Sequence, residues 1–202
     1  MGVCNGFAIP VAQRFGAKDE HGMRKFVANS VWLSIIFAVV MAVLVCVFCR
    51  QILELMNTPE DIIDGSYSYI FVIFLGIPAT YMYNLLSGIM RSLGDSKTPL
   101  YLLIFSSILN IILDLLSIIV LKMGVAGAAW ATVIAQAVSG FCCLGVIWKK
   151  FPILHVQREE WQPDKICILN LCNMGIPMGL QYSITAIGSV IIQAAVNSLG
   201  SV

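Results

Sequence analysis

Five apolar stretches organise the chain. Residues 26–49, 65–90, 123–148 and 166–202 contain no charged side chain, and 98–121 contains one, Asp114. Each can cross a hydrocarbon core of roughly 30 Å as a helix, which takes about 20 residues. Residues 1–13 are also apolar and lack the basic region that opens a signal peptide, so they read as the end of a helix that starts earlier. The pattern predicts an all-α membrane protein, a polytopic bundle of five spans and one partial span. Charge in the connections gives the orientation. Arg14, Lys18, Arg24 and Lys25 lie in the first, Arg91 and Lys97 in the third, and Lys149, Lys150, Arg158 and Lys165 in the fifth, against only Arg50 and Lys122 in the second and fourth. The odd-numbered connections are therefore expected in the cytoplasm, and the second, with Glu54, Glu60, Asp61 and Asp64, outside.

Punctuation refines these boundaries. Asn57, Thr58, Pro59 and Glu60 form a cap with proline at the first helical position, predicting a short interfacial helix before the next span. The 94–99 stretch, GDSKTP, is a turn that starts the helix of Asp114; Arg91 and Asp95 are expected to organise it. Gly76 and Pro78 interrupt one span, and Gly175 and Pro177 another, where a missing backbone donor permits a kink or hinge. Residues 158–165, with Trp161 and Pro163, read as a linker at the cytoplasmic interface between two bundles.

Composition supports the membrane assignment. Of 202 residues, 59% are hydrophobic and 11% charged, against about 25% charged in soluble domains, and mean hydropathy is +0.89. A net charge of +1 gives no reason to expect nucleic acid. The seven cysteines lie in or beside apolar runs, and Cys46 and Cys49, a CxxC by count, lack His or acidic neighbours, so packing is expected rather than a metal or disulfide. His21 and His155 both fall in polar connections. No catalytic triad, zinc motif or phosphate loop emerges, so neither enzymatic activity nor a cofactor is expected.

Asp114 is the informative residue. A carboxylate within a span costs several kcal/mol and marks an ion or substrate pathway by default. At 100° per residue, Ser106, Asn110, Asp114 and Ser117 share an arc of about 80°, which must face protein or a water-filled cavity. The connection around residue 123 is short, so the flanking helices should be antiparallel neighbours. Counting nine residues either way puts Asp114 level with Thr132, with Asn110 one turn deeper. Gly124, Ala128 and Thr132, and Gly127, Ala131 and Ala135, form small-xxx-small series that permit close approach. Carboxylate, amide oxygen and hydroxyl can thus converge as hard ligands for Na⁺, or the carboxylate can take a proton. A polar knot that merely locks two helices stands as the alternative.

The chain resembles the multidrug and toxin extrusion (MATE) transporters. The resemblance rests on GFAIPVAQRFGAKD near the start, GIPATYMYNLLSGIMRSLGDSKTPL at 76–100, LNIILD at 109–114, GVAGAAWAT at 124–132 and GIPMGLQ at 175–181. It implies a twelve-helix fold of two six-helix lobes. Residues 1–16 would end family helix 2, 17–148 would hold helices 3–6, 149–165 would be the inter-lobe linker, and 166–202 the truncated first helix of the second lobe. It also implies export of drugs and organic cations in exchange for H⁺ or Na⁺ across the plasma (inner) membrane, with a first-lobe cation site at Asn110, Asp114 and Thr132. Tyr81, Tyr83, Gln181 and Tyr182 are the candidate substrate contacts. Partners would be the lipid bilayer, small cationic substrates and the missing second-lobe helices. Family helix 1, which would add a carboxylate, is absent, and Thr185 stands where some branches carry a glutamate. A lipid-linked precursor flippase of the same superfamily is an alternative, disfavoured because no Lys or Arg lies inside a span. A non-functional transporter fragment is the other.

Overall fold

The computed structural model describes residues 2–55 and 60–198, and these are almost entirely helical. Helix α1 spans Gly2–Gly16, α2 Glu20–Leu55, α3 Glu60–Leu75, α4 Ile77–Ser92, α5 Lys97–Leu115, α6 Gly124–Lys150 and α7 Lys165–Ser198. Four stretches are long and apolar enough to cross a membrane: Glu20–Cys49, Lys97–Val120, Gly124–Lys150 and Lys165–Gln193. A fifth is broken, with Gly65–Leu75 and Ile77–Ser92 meeting at 41°. The break falls at Gly76, where sequence placed it. A Cβ there would collide with Val133 of α6, so the bend seats the broken span against α6. The cap expected at Asn57, Thr58 and Pro59 lies outside the described residues.

Helix α4 occupies the middle, against α1, α2 and α6. One core cluster joins Phe7 and Val11 of α1, Met23 and Phe26 of α2, Leu85 and Ile89 of α4, and Leu171 of α7. Side chains that would be costly in water cover the outside. Ile111, Ile112 and Leu115 of α5, and Ile184, Ile187 and Ile191 of α7, are all more than half exposed, as expected of faces that meet acyl chains.

Two corrections concern helix ends. Gly175 and Pro177 do not interrupt their span; α7 runs through them. Gly175 instead serves close packing, because α1 and α7 cross where Gly6 faces Gly175. A Cβ on Gly6 would stand 2.6 Å from Gly175 Cα, and one on Gly175 would strike the Phe7 ring. Nor does α5 stay α-helical to its end. Leu116–Val120 form a π turn, with Leu121 N–H donating to Leu116 O at 3.0 Å. The chain then reverses through Lys122 and Gly124, at φ 50° and 61°.

Short 3₁₀ turns at Pro152–Leu154 and Arg158–Trp161 carry the chain from α6 to α7, and this segment is fastened to α2. Glu160, 1% exposed, accepts from Arg24 Nε at 2.9 and 3.0 Å, from Gln157 N–H at 2.9 Å, and pairs with His21 Nδ1 at 2.8 Å. Burial by itself would raise its pKa; the Gln157 amide, Arg24 and His21 outweigh that and hold it below the ordinary value. Asn29 accepts from Asp164 N–H at 2.9 Å, and Trp32 Nε1 donates to Trp161 O at 3.1 Å. At the turn between α4 and α5, Asp95 takes Lys150 Nζ at 2.6 Å and the N–H and hydroxyl of Thr98. These donors hold its carboxyl well below the usual range.

Candidate functional site

Helices α5 and α6 form an antiparallel hairpin, and the polar face of α5 turns toward its neighbours. Ser106 and Ser117 are buried and Asn110 and Asp114 half-buried, whereas the opposite face, at Ile108, Ile111 and Leu115, is exposed. The Gly127, Ala131, Ala135 series of α6 is buried. At Gly127 the helices come so close that a Cβ would lie 3.0 Å from that of Ser117.

The structure brings two of the three candidate ligands into direct contact. Asn110 Nδ2 donates to Thr132 Oγ1 at 3.3 Å, and that hydroxyl donates to Ala128 O at 3.0 Å. Asp114 is level with neither. The hairpin register pairs Ser106 with Ala135 (Oγ to O, 3.4 Å) and Asn110 with Thr132, so Thr132 sits one turn deeper relative to α5 than residue counting gave. The π turn contributes to the difference, because its i→i+5 closure packs more residues into the last turn before the reversal than an α-helix does.

This displacement changes what Asp114 does. The Asn110–Thr132 bond ties the helices without it. Asp114 Oδ1 is buried and has no hydrogen-bond partner among the described residues. A buried acceptor left unmade costs about 1–3 kcal/mol, so this oxygen is open to a further polar partner.

Two further residues were missed by the sequence reading. Gln136 Oε1 and Ser139 Oγ are buried and have no partner among the described residues. With Thr132 they fall at i, i+4 and i+7 on α6, one helical stripe, running from the level of Asn110 toward the C-terminal end of α6. That spacing was visible in the sequence, but Gln136 and Ser139 are individually ordinary in a membrane helix.

The proposed substrate contacts divide. A cavity of about 630 Å³ lies among α1, α2, α4 and α7, and Tyr81 and Tyr182 line it beside Phe7 and Phe37. Tyr182 accepts from Asn5 Nδ2 at 3.1 Å, and Arg91 Nη2 donates to Asn5 Oδ1 at 3.4 Å. Tyr83 and Gln181 lie elsewhere. Tyr83 is buried with its hydroxyl donating to Pro99 O at 3.3 Å, and the Gln181 side chain is exposed on α7.

Comparison with known proteins gives a consistent result. The family model MatE matches residues 1–116. The chain is 31% identical over 211 residues to a probable multidrug resistance protein, YoeA, of Bacillus subtilis, covering 100% of this chain and 45% of that protein. It is 31% identical to the multidrug resistance protein PmpM of Pseudomonas aeruginosa, covering 90% of this chain and 39% of that one. It thus spans less than half the length of these curated relatives. Among solved structures, an outward-facing conformation of a multidrug resistance MATE family transporter superposes with TM-score 0.88 at 23% identity, covering 98% of this chain and 44% of that one. An inward-facing conformation gives 0.81 at 25% identity, over 89% and 41%.

Proposed function

This chain belongs to the MatE family of multi-pass membrane transporters, and we propose on that basis that it forms part of a secondary active exporter of drugs and organic cations, driven by H⁺ or Na⁺ exchanged at Asp114. The unpartnered, buried Oδ1 of Asp114 carries the reading. The acid is not needed to hold α5 to α6, and its orphaned oxygen is free to meet a cation. Asn110 and Thr132 stand one turn deeper as further oxygen ligands, and Gln136 and Ser139 extend the polar file inward. Outside-facing, Asp114 takes up the cation; neutralising the buried charge favours a different helix packing, and a drug in the cavity beside Tyr81 and Tyr182 is released. Return to the inside frees the cation.

The test is dye efflux by the complete protein in a drug-sensitive cell. Asp114→Asn keeps the shape and removes the titrating charge, so efflux should be abolished with membrane expression intact. Undiminished efflux rejects the coupling role.

A further inference from the structure

A second cavity, of about 470 Å³, lies among α2, α4 and α6. Its lining is apolar but for Ser34 and the Tyr81 hydroxyl. Ile35, Val39, Phe141 and Leu144 form its rim and are about half exposed or more, so the described chain leaves the cavity open on that side. Its size is within the range of small-molecule sites. Ser34 distinguishes it from a packing defect. Serines within helices usually give their hydroxyl to a carbonyl of their own helix: Ser30 bonds Val27 O, Ser107 Leu103 O, Ser183 Gly179 O and Ser189 Thr185 O. Ser34, 4% exposed near the middle of its span, bonds nothing among the described residues. It lines the cavity, and rotation about one bond turns its hydroxyl to the lumen, where a ligand acceptor can meet it.

We propose that this groove is a binding site for apolar organic molecules dissolved in the bilayer that carry one hydrogen-bond acceptor, which Ser34 recognises. A bare acyl chain has no group for that hydroxyl at this depth. A ligand seated there also abuts Tyr81, whose ring, 5.8 Å from Phe37, lines the larger cavity as well. The proposal stands independently of cation exchange.

Benzophenone supplies both the acceptor and a photoreactive group. With the full chain reconstituted in phosphatidylcholine vesicles, irradiation followed by peptide mapping should place adducts on Ile35, Met82 and Phe141 in preference to Ile111 and Leu115 of α5. Excess dibenzyl ketone should displace the probe, and bibenzyl, which lacks the carbonyl, should not. Ser34→Ala should lower groove labelling about five-fold, the worth of one hydrogen bond made away from water, and leave the α5 background unchanged. Ala79→Phe, which fills the groove, should remove it. Even labelling of groove and α5 would overturn the proposal, as simple partitioning into lipid. Labelling indifferent to Ser34→Ala, or displaced equally by bibenzyl, would overturn it in favour of an acyl-chain groove.

Discussion

Glu160→Gln tests how firmly the segment between α6 and α7 is tied to α2. The substitution keeps the side chain's shape and removes its charge. Glu160 receives Arg24 through both oxygens, the Gln157 amide and His21. Removing one member of a buried ion pair costs about 3–5 kcal/mol. Arg24 is 17% and His21 63% exposed, so water compensates both in part and the lower end applies, about 3 kcal/mol. At 1.4 kcal/mol per decade this is an increase of roughly 100-fold in the open population of the segment. The assay is amide hydrogen exchange in detergent, read at Gln157, whose N–H bonds Glu160, and at Asp164, whose N–H bonds Asn29. Both should exchange roughly 100-fold faster while the α4 core stays protected. The sign with pH is fixed by the lowered pKa of Glu160. Its contribution is complete above the ordinary carboxyl value and disappears as pH falls through the depressed one. Corrected for intrinsic rates, protection at Gln157 should fall below pH ~4 in the native chain, with no such fall in the variant. Protection within about three-fold of native in Glu160→Gln would refute the reasoning.

Four further outcomes are expected. Gly6→Val forces methyl groups between two backbones and should lower thermal stability by about 1–3 kcal/mol or part α1 from α7, measured by thermal unfolding in detergent; an unchanged melting temperature would show that the helices yield freely. Gln136→Leu replaces an orphaned acceptor with an apolar side chain, so stability should hold or rise while efflux falls; a variant as active as native removes Gln136 from the cation path. Thr132→Val breaks the Asn110 bond and should cost about 1 kcal/mol and raise the cation concentration needed for half-maximal efflux; an unaltered cation dependence would leave the bond structural only. Asp95→Asn weakens the ties to Lys150 and Thr98, with a modest loss of about 1 kcal/mol because Lys150 is more than half exposed. Since its native pKa is lowered, that loss should vanish in strong acid, where the native residue is neutral as well; a pH-independent difference would count against it.

The sequence alone determined the spans, their order and the inward face of α5. Those properties depend on local quantities: length of an apolar run, the 3.6-residue period, and the free energy of placing Leu or Asp in lipid. Ser106, Asn110, Asp114 and Ser117 shared a face on paper and share it in the structure. The Gly76 break was legible because glycine and proline act on their own backbone. Tertiary structure decided what depends on register and on contacts between distant residues. Counting along ideal helices could see neither the π turn at Leu116–Val120 nor the exact point of reversal before Gly124, so it sets Asp114 level with Thr132 where Asn110 holds that place. Gly175 read as a hinge because nothing local reveals that Gly6 and Phe7 press against it across the α1–α7 crossing. Ser34 and Gln136 gave no signal by composition, because a hydroxyl or amide in a membrane helix becomes informative only when its surroundings leave it without a partner.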